Sequence, residues 1–262
     1  MSRKIRWAAA ALLLCIFAGS AGLFFTRWLD YRRGEALYAG AAEEFLSLRG
    51  GEDQVIDNRG DLPLQEIPAD LAPELTMDFD ALAEVNPDIV AWIVIPDTNV
   101  NYPVLQGPSN GTYLRRAYDG TSRRMGSIFI DYRCSADLSD AHTIVYGHNM
   151  RNSTMFSVLP RYSEQVFYEQ HRYFYIYTAE GCCKYEIFSA YMTELPSDSY
   201  ALDFPDGTFG DYVSRITSQT WIASNVFPTG SDRIVSLSTC SSDNDDTKRF
   251  LVHGYLVEDT RP

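Results

Sequence analysis

The chain has 262 residues, 45% of them hydrophobic and 22% charged, the balance of a globular protein with one sizeable core. Its net charge of −13 repels phosphate backbones and argues against a nucleic-acid partner. Five cysteines without a CxxC pair argue against a zinc knuckle or a disulfide scaffold, and the adjacent Cys182 and Cys183 would make a strained bridge.

Trp7–Phe25 carries no charge and is long enough, as a helix, to cross a bilayer core. Arg3, Lys4 and Arg6 precede it, and Arg27, Arg32 and Arg33 follow it, so charge asymmetry alone does not orient it. A cleaved signal peptide, cut near Ala18-Gly19-Ser20 or Ser20-Ala21-Gly22, is the alternative. The length of the run and the large residues Leu23, Phe24 and Phe25 after it favour an uncleaved anchor. Residues 27–49 read as a helix with Trp28, Tyr31, Leu37, Ala41, Phe45 and Leu48 on one side. Residues 50–75, with glycines and prolines and no periodicity, read as a linker. Asp78–Val85 reads as a short helix stopped at Asn86-Pro87.

From residue 89 the pattern changes to strands. Residues 91–95, 99–106, 126–131, 141–148 and 173–178 are apolar or alternating runs bounded by turn residues, and 184–194 pairs with 173–178 through a loop at 179–183. Residues 207–223 return to helical spacing, and 233–240 and 249–258 close the chain as two more strands. About eight strands, few helices and no βαβ alternation predict a mostly β protein, a closed eight-stranded barrel with inserted helices. The divisions are a cytoplasmic start and anchor at 1–26, a helix and linker at 27–75, and a barrel at 76–262.

Three residues carry candidate chemistry. Cys240 ends an apolar strand and opens a polar loop, where a side chain is held yet reachable, although a buried structural thiol is the commoner fate. His148 also ends a strand, whereas His142 reads as solvated at a strand start, His171 as surface and His253 as an inert strand residue. Arg249 opens the last strand, so an antiparallel pairing across the loop sets it beside Cys240. There it could favour a thiolate or stabilise an oxyanion, or instead pair with Asp243, Asp245 or Asp246. The order His148, Cys240, Arg249 differs from papain-like enzymes, in which Cys precedes His. The acidic run 243–246 lacks the glycine and terminal Glu of a calcium loop and reads as a solvated loop.

These residues carry a resemblance. Leu237-Ser238-Thr239-Cys240, Tyr146-Gly147-His148-Asn149-Met150, Lys248-Arg249, Asn101-Tyr102-Pro103-Val104-Leu105-Gln106 and Gly126-Ser127-Ile128-Phe129-Ile130-Asp131 stand in the order found in class B sortases, over about residues 76–258. The helix near 207–223 resembles the helix that sets class B apart, and the helix at 27–49 fits it too. Ser236 stands where the family's TLxTC signature has Thr. The resemblance implies a sortase-type barrel and a cysteine transpeptidase without cofactor or metal. It would cut a C-terminal sorting motif of secreted proteins after Thr, hold the acyl group as a thioester on Cys240, and pass it to an amine of a lipid-linked peptidoglycan precursor. His148 would be the acid and base, and Arg249 the substrate and oxyanion ligand. Asn101, Leu105, Tyr146, Ser238 and Thr239 would form the motif-binding groove. It further implies a monomer, single-pass in the plasma membrane with its N-terminus cytoplasmic. A pilin-polymerising sortase and a non-catalytic surface β-barrel protein are the other readings.

Overall fold

The computed structural model describes residues 3–48, 67–205, 207–240 and 247–262. The expected linker up to residue 66 and the acidic run 243–246 lie outside the described residues. The anchor run and the following helix form one helix, α1 (Arg3–Phe45). Its apolar half stands clear of the rest, exposed from Leu12 to Trp28, and is long and apolar enough to cross a membrane.

The packed stripe of α1 is Gly34, Tyr38, Ala41, Ala42 and Phe45, which shares Ala41 and Phe45 with the predicted face, whereas Trp28 stays 46% exposed. Gly34 lies directly against the Met125 side chain, which an added Cβ would push aside. The helix stops at Phe45 rather than reaching 49. Leu46–Leu48 (β1) instead pairs antiparallel with β2 (Leu75–Met77), two strands absent from the sequence-based expectation. Helix α2 (Phe79–Val85) is capped by Asp78, whose Oδ1 accepts from Ala81 N at 2.9 Å, and ends before Pro87.

Eight strands close a barrel: β3 (Ile89–Val94), β4 (Asn101–Leu105), β5 (Ile128–Ile130), β6 (His142–Tyr146), β7 (Tyr173–Thr178), β8 (Gly181–Glu194), β9 (Ile234–Cys240) and β10 (Lys248–Asp259). Their order is β10-β8-β7-β3-β4-β5-β6-β9, with β4–β5 and β6–β9 parallel and the other pairs antiparallel. Closure removes sheet edges, and strands covered on both faces read as nearly unbroken apolar runs, as in β3. The β7–β8 turn is only Ala179-Glu180, because Gly181, Cys182 and Cys183 already pair with Thr178, Tyr177 and Ile176. Alternation along the strand buries Cys183 and leaves Cys182 half-exposed; neither carries a disulfide.

Between β6 and β7 lies the short α3 (Gln165–Gln170), and between β8 and β9 lies α4 (Thr208–Ser218). Phe209, Tyr212, Val213 and Ile216 of α4 recur at three-to-four spacing. They pack with Phe188, Tyr191 and Leu251 in a second small core on the outside of β8 and β10.

One expectation reverses beneath α4. His142 is not solvated: it is 2% exposed, with Nδ1 2.7 Å from Ala201 O and Nε2 2.7 Å from Ser236 Oγ. A carbonyl can only accept, so Nδ1 carries the proton and Nε2 accepts from Ser236. Ser236 Oγ in turn lies 2.6 Å from His253 Nδ1, which then donates to it. This chain of hydrogen bonds crosses β6, β9 and β10 on the side covered by α4, where His142 meets Tyr212 and His253 meets Phe188 and Tyr191.

Candidate active site

The strands that carry the three candidate residues are neighbours. In the parallel β6–β9 ladder Tyr146 stands opposite Ser238, and the ladder extends one step as Gly147 N donates to Ser238 O at 3.1 Å. His148 and Cys240 are each two residues further on, at the same ends of strands that in a sheet run about 5 Å apart. On the other side of β9, Cys240 is the register partner of Arg249 in β10. The backbone of Cys240 therefore lies between the element that delivers His148 and the element that delivers Arg249.

A cleft of 370 Å³ opens at this rim, lined by His148, Arg249, Tyr146, Ser238 and Thr239 together with Asn110, Leu114, Phe129, Leu195 and Tyr200. His148 is half-buried, and its Nε2 lies 2.7 Å from Leu114 O. That carbonyl requires a proton on Nε2 of the neutral ring, which leaves Nδ1 as the nitrogen able to take up another. Arg249 is half-buried and donates from Nη1 to Lys248 O at 2.9 Å, which fixes the near end of its guanidinium fork.

The cleft walls are aromatic and apolar. Tyr146 and Tyr200 stack with centroids 6.2 Å apart, and the Tyr200 hydroxyl lies 2.7 Å from Ser238 Oγ. Beneath them Asp131 is a fully buried anchor. It accepts from Tyr146 OH at 3.0 Å, from Asn110 Nδ2 at 2.9 Å, and from Arg133 Nε and Nη2 at 2.9 and 2.8 Å. Burial alone would raise its carboxyl, but the Arg133 fork and these donors outweigh burial and hold it at about 2. Burial, and then the Asp131 charge, push the Tyr146 phenol far above its ordinary value, so Tyr146 serves as a fixed donor.

Of the expected groove residues, Tyr146, Ser238 and Thr239 line the cleft, while Asn101 and Leu105 do not. Asn101 is 4% exposed, and its Oδ1 accepts from Trp92 Nε1 at 2.6 Å behind the sheet. Leu105 is fully buried in the core. They are the two end residues of β4, a strand buried at every position. Their places in the cleft are taken by Asn110 and Leu114, from the loop after β4. That loop carried only a turn signature, Ser109-Asn110-Gly111, and no periodicity. Leu195 and Tyr200 also come from a loop, the one after β8. Among the described residues, no cluster of His, Cys, Asp and Glu is arranged to hold a metal ion.

This architecture has close relatives. The sortase domain family matches residues 93–257. Sortase B of Listeria monocytogenes is 38% identical over 186 residues, which cover 70% of this chain and 76% of that protein. The solved Staphylococcus aureus sortase B–substrate complex superposes with a TM-score of 0.65 at 36% identity, covering 69% of this chain and 84% of that one. Sortase B from B. anthracis superposes with a TM-score of 0.71 at 29% identity, covering 88% of this chain and 100% of that one. A closed eight-stranded barrel and a shared sequence over most of its length lead to one conclusion: the chain belongs to the sortase family of cysteine transpeptidases, on its class B branch.

Proposed function

We propose that the protein cuts a C-terminal sorting motif of secreted proteins after Thr and transfers the acyl group, through a Cys240 thioester, to an amine of a peptidoglycan precursor. The observation that carries this reading is the β6–β9–β10 register, which sets Cys240 between the strand ends bearing His148 and Arg249. The Cys240 thiolate attacks the Thr carbonyl and forms a C–S bond. As the peptide C–N bond breaks, His148 gives its proton to the leaving amine. In the second half the incoming amine attacks the thioester, His148 takes a proton from it, and the C–S bond breaks to restore the thiolate. Arg249 stabilises the oxyanion of both tetrahedral intermediates, a contribution of about 3–4 kcal/mol for a well-placed donor.

The stacked tyrosines, Leu114 and Leu195 suit an extended peptide with apolar and proline side chains, and Asn110 and Ser238 offer polar contacts to its backbone. The apolar half of α1 anchors the enzyme, N-terminus inside, where both substrates are held at the membrane surface, which raises their effective concentration.

The test uses a panel of fluorogenic sorting peptides with mass spectrometry of the acyl-enzyme. A Cys240-linked adduct of thioester mass is expected, chased by added oligoglycine or diaminopimelate-type amines and absent in Cys240→Ala. Equal behaviour of wild type and Cys240→Ala across the panel would sink the proposal, and a chase only by a protein lysine would point to pilus assembly.

A further inference from the structure

A series of contacts links His148 to the same helix that carries the apolar run. Its ring is tied to Leu114 O at 2.7 Å, and the loop bearing that carbonyl rests on Gly126 and Ser127. Ser127 N donates to Tyr113 O at 3.1 Å, and Ser127 Oγ donates to Arg116 O at 2.8 Å. Gly126, with φ of +57°, lies so close that an added Cβ would be 2.6 Å from both Tyr113 O and Leu114 O. The residues on either side of Leu114 are thus hydrogen-bonded to Ser127, and Gly126 packs against the Leu114 carbonyl itself.

That backbone is held from below by α1. Tyr38, 3% exposed, donates its hydroxyl to Gly126 O at 2.7 Å, with Ser127 Oγ at 3.1 Å. Gly34 sits flush on Met125, and Asp30 lies 3.6 Å from Arg123. Glu35 accepts from Asn152 Nδ2 at 2.8 Å, on the loop that follows His148. These contacts of α1 fall on the two segments flanking the histidine, 123–127 and 152.

We infer that α1 is a positioning element for His148, with Tyr38 as the positioning residue that acts through Gly126 and the Leu114 carbonyl. The inference rests on the reading above only in taking His148 as the acid and base. A displaced histidine lowers the rate of proton transfer without changing the cleft walls that bind the peptide, so the loss falls on kcat rather than KM.

The test compares Tyr38→Phe, which removes one hydroxyl and keeps the ring packing on Tyr102 and Tyr118, with Tyr162→Phe. Tyr162 donates to His171 O at 2.8 Å, away from the cleft, and controls for losing a buried hydroxyl. Full-length protein in nanodiscs is assayed for peptide turnover, melting temperature and the ring ¹⁵N signals of labelled His148, which report which nitrogen holds the proton. Tyr38→Phe is expected to lower kcat about fivefold at unchanged KM and to shift the His148 signals from a pure Nε2–H pattern towards a mixture. Tyr162→Phe should leave kcat and those signals unchanged even where its melting temperature falls as far. Unchanged His148 signals in Tyr38→Phe, or equal changes in both variants, would overturn the inference. If no peptide is turned over by the wild type, the assigned function fails, and the ¹⁵N signals still decide whether α1 positions the ring.

Discussion

Replacing Asp131 with Asn tests how the cleft wall is built. The carboxylate is fully buried and takes the Arg133 fork, Asn110 and Tyr146. Its folded value of about 2 against an ordinary 3.8 corresponds to about 2 kcal/mol of stability at neutral pH, at roughly 1.4 kcal/mol per unit and with some discount because Arg133 is half-exposed. Because the folded value is depressed, that stability is fully present above 3.8 and is lost as pH falls through about 2. Asp131→Asn removes it and sets an amide donor against existing donors, for a total loss of about 2–3 kcal/mol. Urea unfolding at pH 7 should show this gap between wild type and variant, and at pH 3 the gap should shrink by about 1 kcal/mol. Peptide KM should rise several-fold with kcat nearly intact, since Tyr146 and Asn110 lose their anchor while the reacting groups do not touch Asp131. A gap of the same size at both pH values, or one below about 0.5 kcal/mol, would refute the account.

Two further tests address the histidines buried under α4. Burial holds His142 at about 4 and His253 well below 6.5, so the unfolded chain binds protons before the folded one does. Stability should therefore be level above about 6.5 and fall by about 2 kcal/mol per histidine between pH 6.5 and 5, as followed by urea midpoints. Ser236→Ala, which removes the hydroxyl between the two rings, should cost about 1–3 kcal/mol at pH 7 in the same assay. A Cβ on Gly147 would lie 2.4 Å from Ile128 Cδ1 and 2.6 Å from Phe156 Cδ2, so Gly147→Ala should cost about 1–3 kcal/mol by thermal melting and lower kcat by moving the adjacent His148.

The barrel was legible because its strands are buried on both faces and bounded by turn residues, and seven of the eight were bracketed within two residues at each end. The strand ends delivering His148, Cys240 and Arg249 were legible for the same reason: a residue that ends an apolar run is placed by the run. What was not legible depended on contacts between distant segments. Ala41 and Phe45 of the docking face were read, but Gly34 and Ala42 carry little hydrophobic signal and were passed over, while Trp28, which was included, stays exposed. His142 looked polar and terminal until Ser236 and Ala201 were brought to its two nitrogens. Asn101 and Leu105 had the family's residue types within a recognisable segment, but β4 is buried from end to end, and Asn101 is taken up by Trp92 Nε1. The loop that follows, with no periodicity to read, supplies Asn110 and Leu114.

The unbroken course of α1 has a consequence for how the barrel meets its surroundings. From Phe25 at the end of the apolar run to Tyr38 on the barrel is about 20 Å of helix, at roughly 1.5 Å per residue. With no hinge in that stretch, a bilayer around the apolar run, as proposed, would give the mouth of the cleft both a height and a compass bearing above the membrane surface. One inserted residue would turn the bearing by about 100° while raising the mouth only about 1.5 Å, whereas seven would lift it about 10 Å and return it to within about 20° of its first direction. Altitude and azimuth thus become separately adjustable, and which of the two the acyl donor and the amine acceptor each require can be read from a ladder of such insertions.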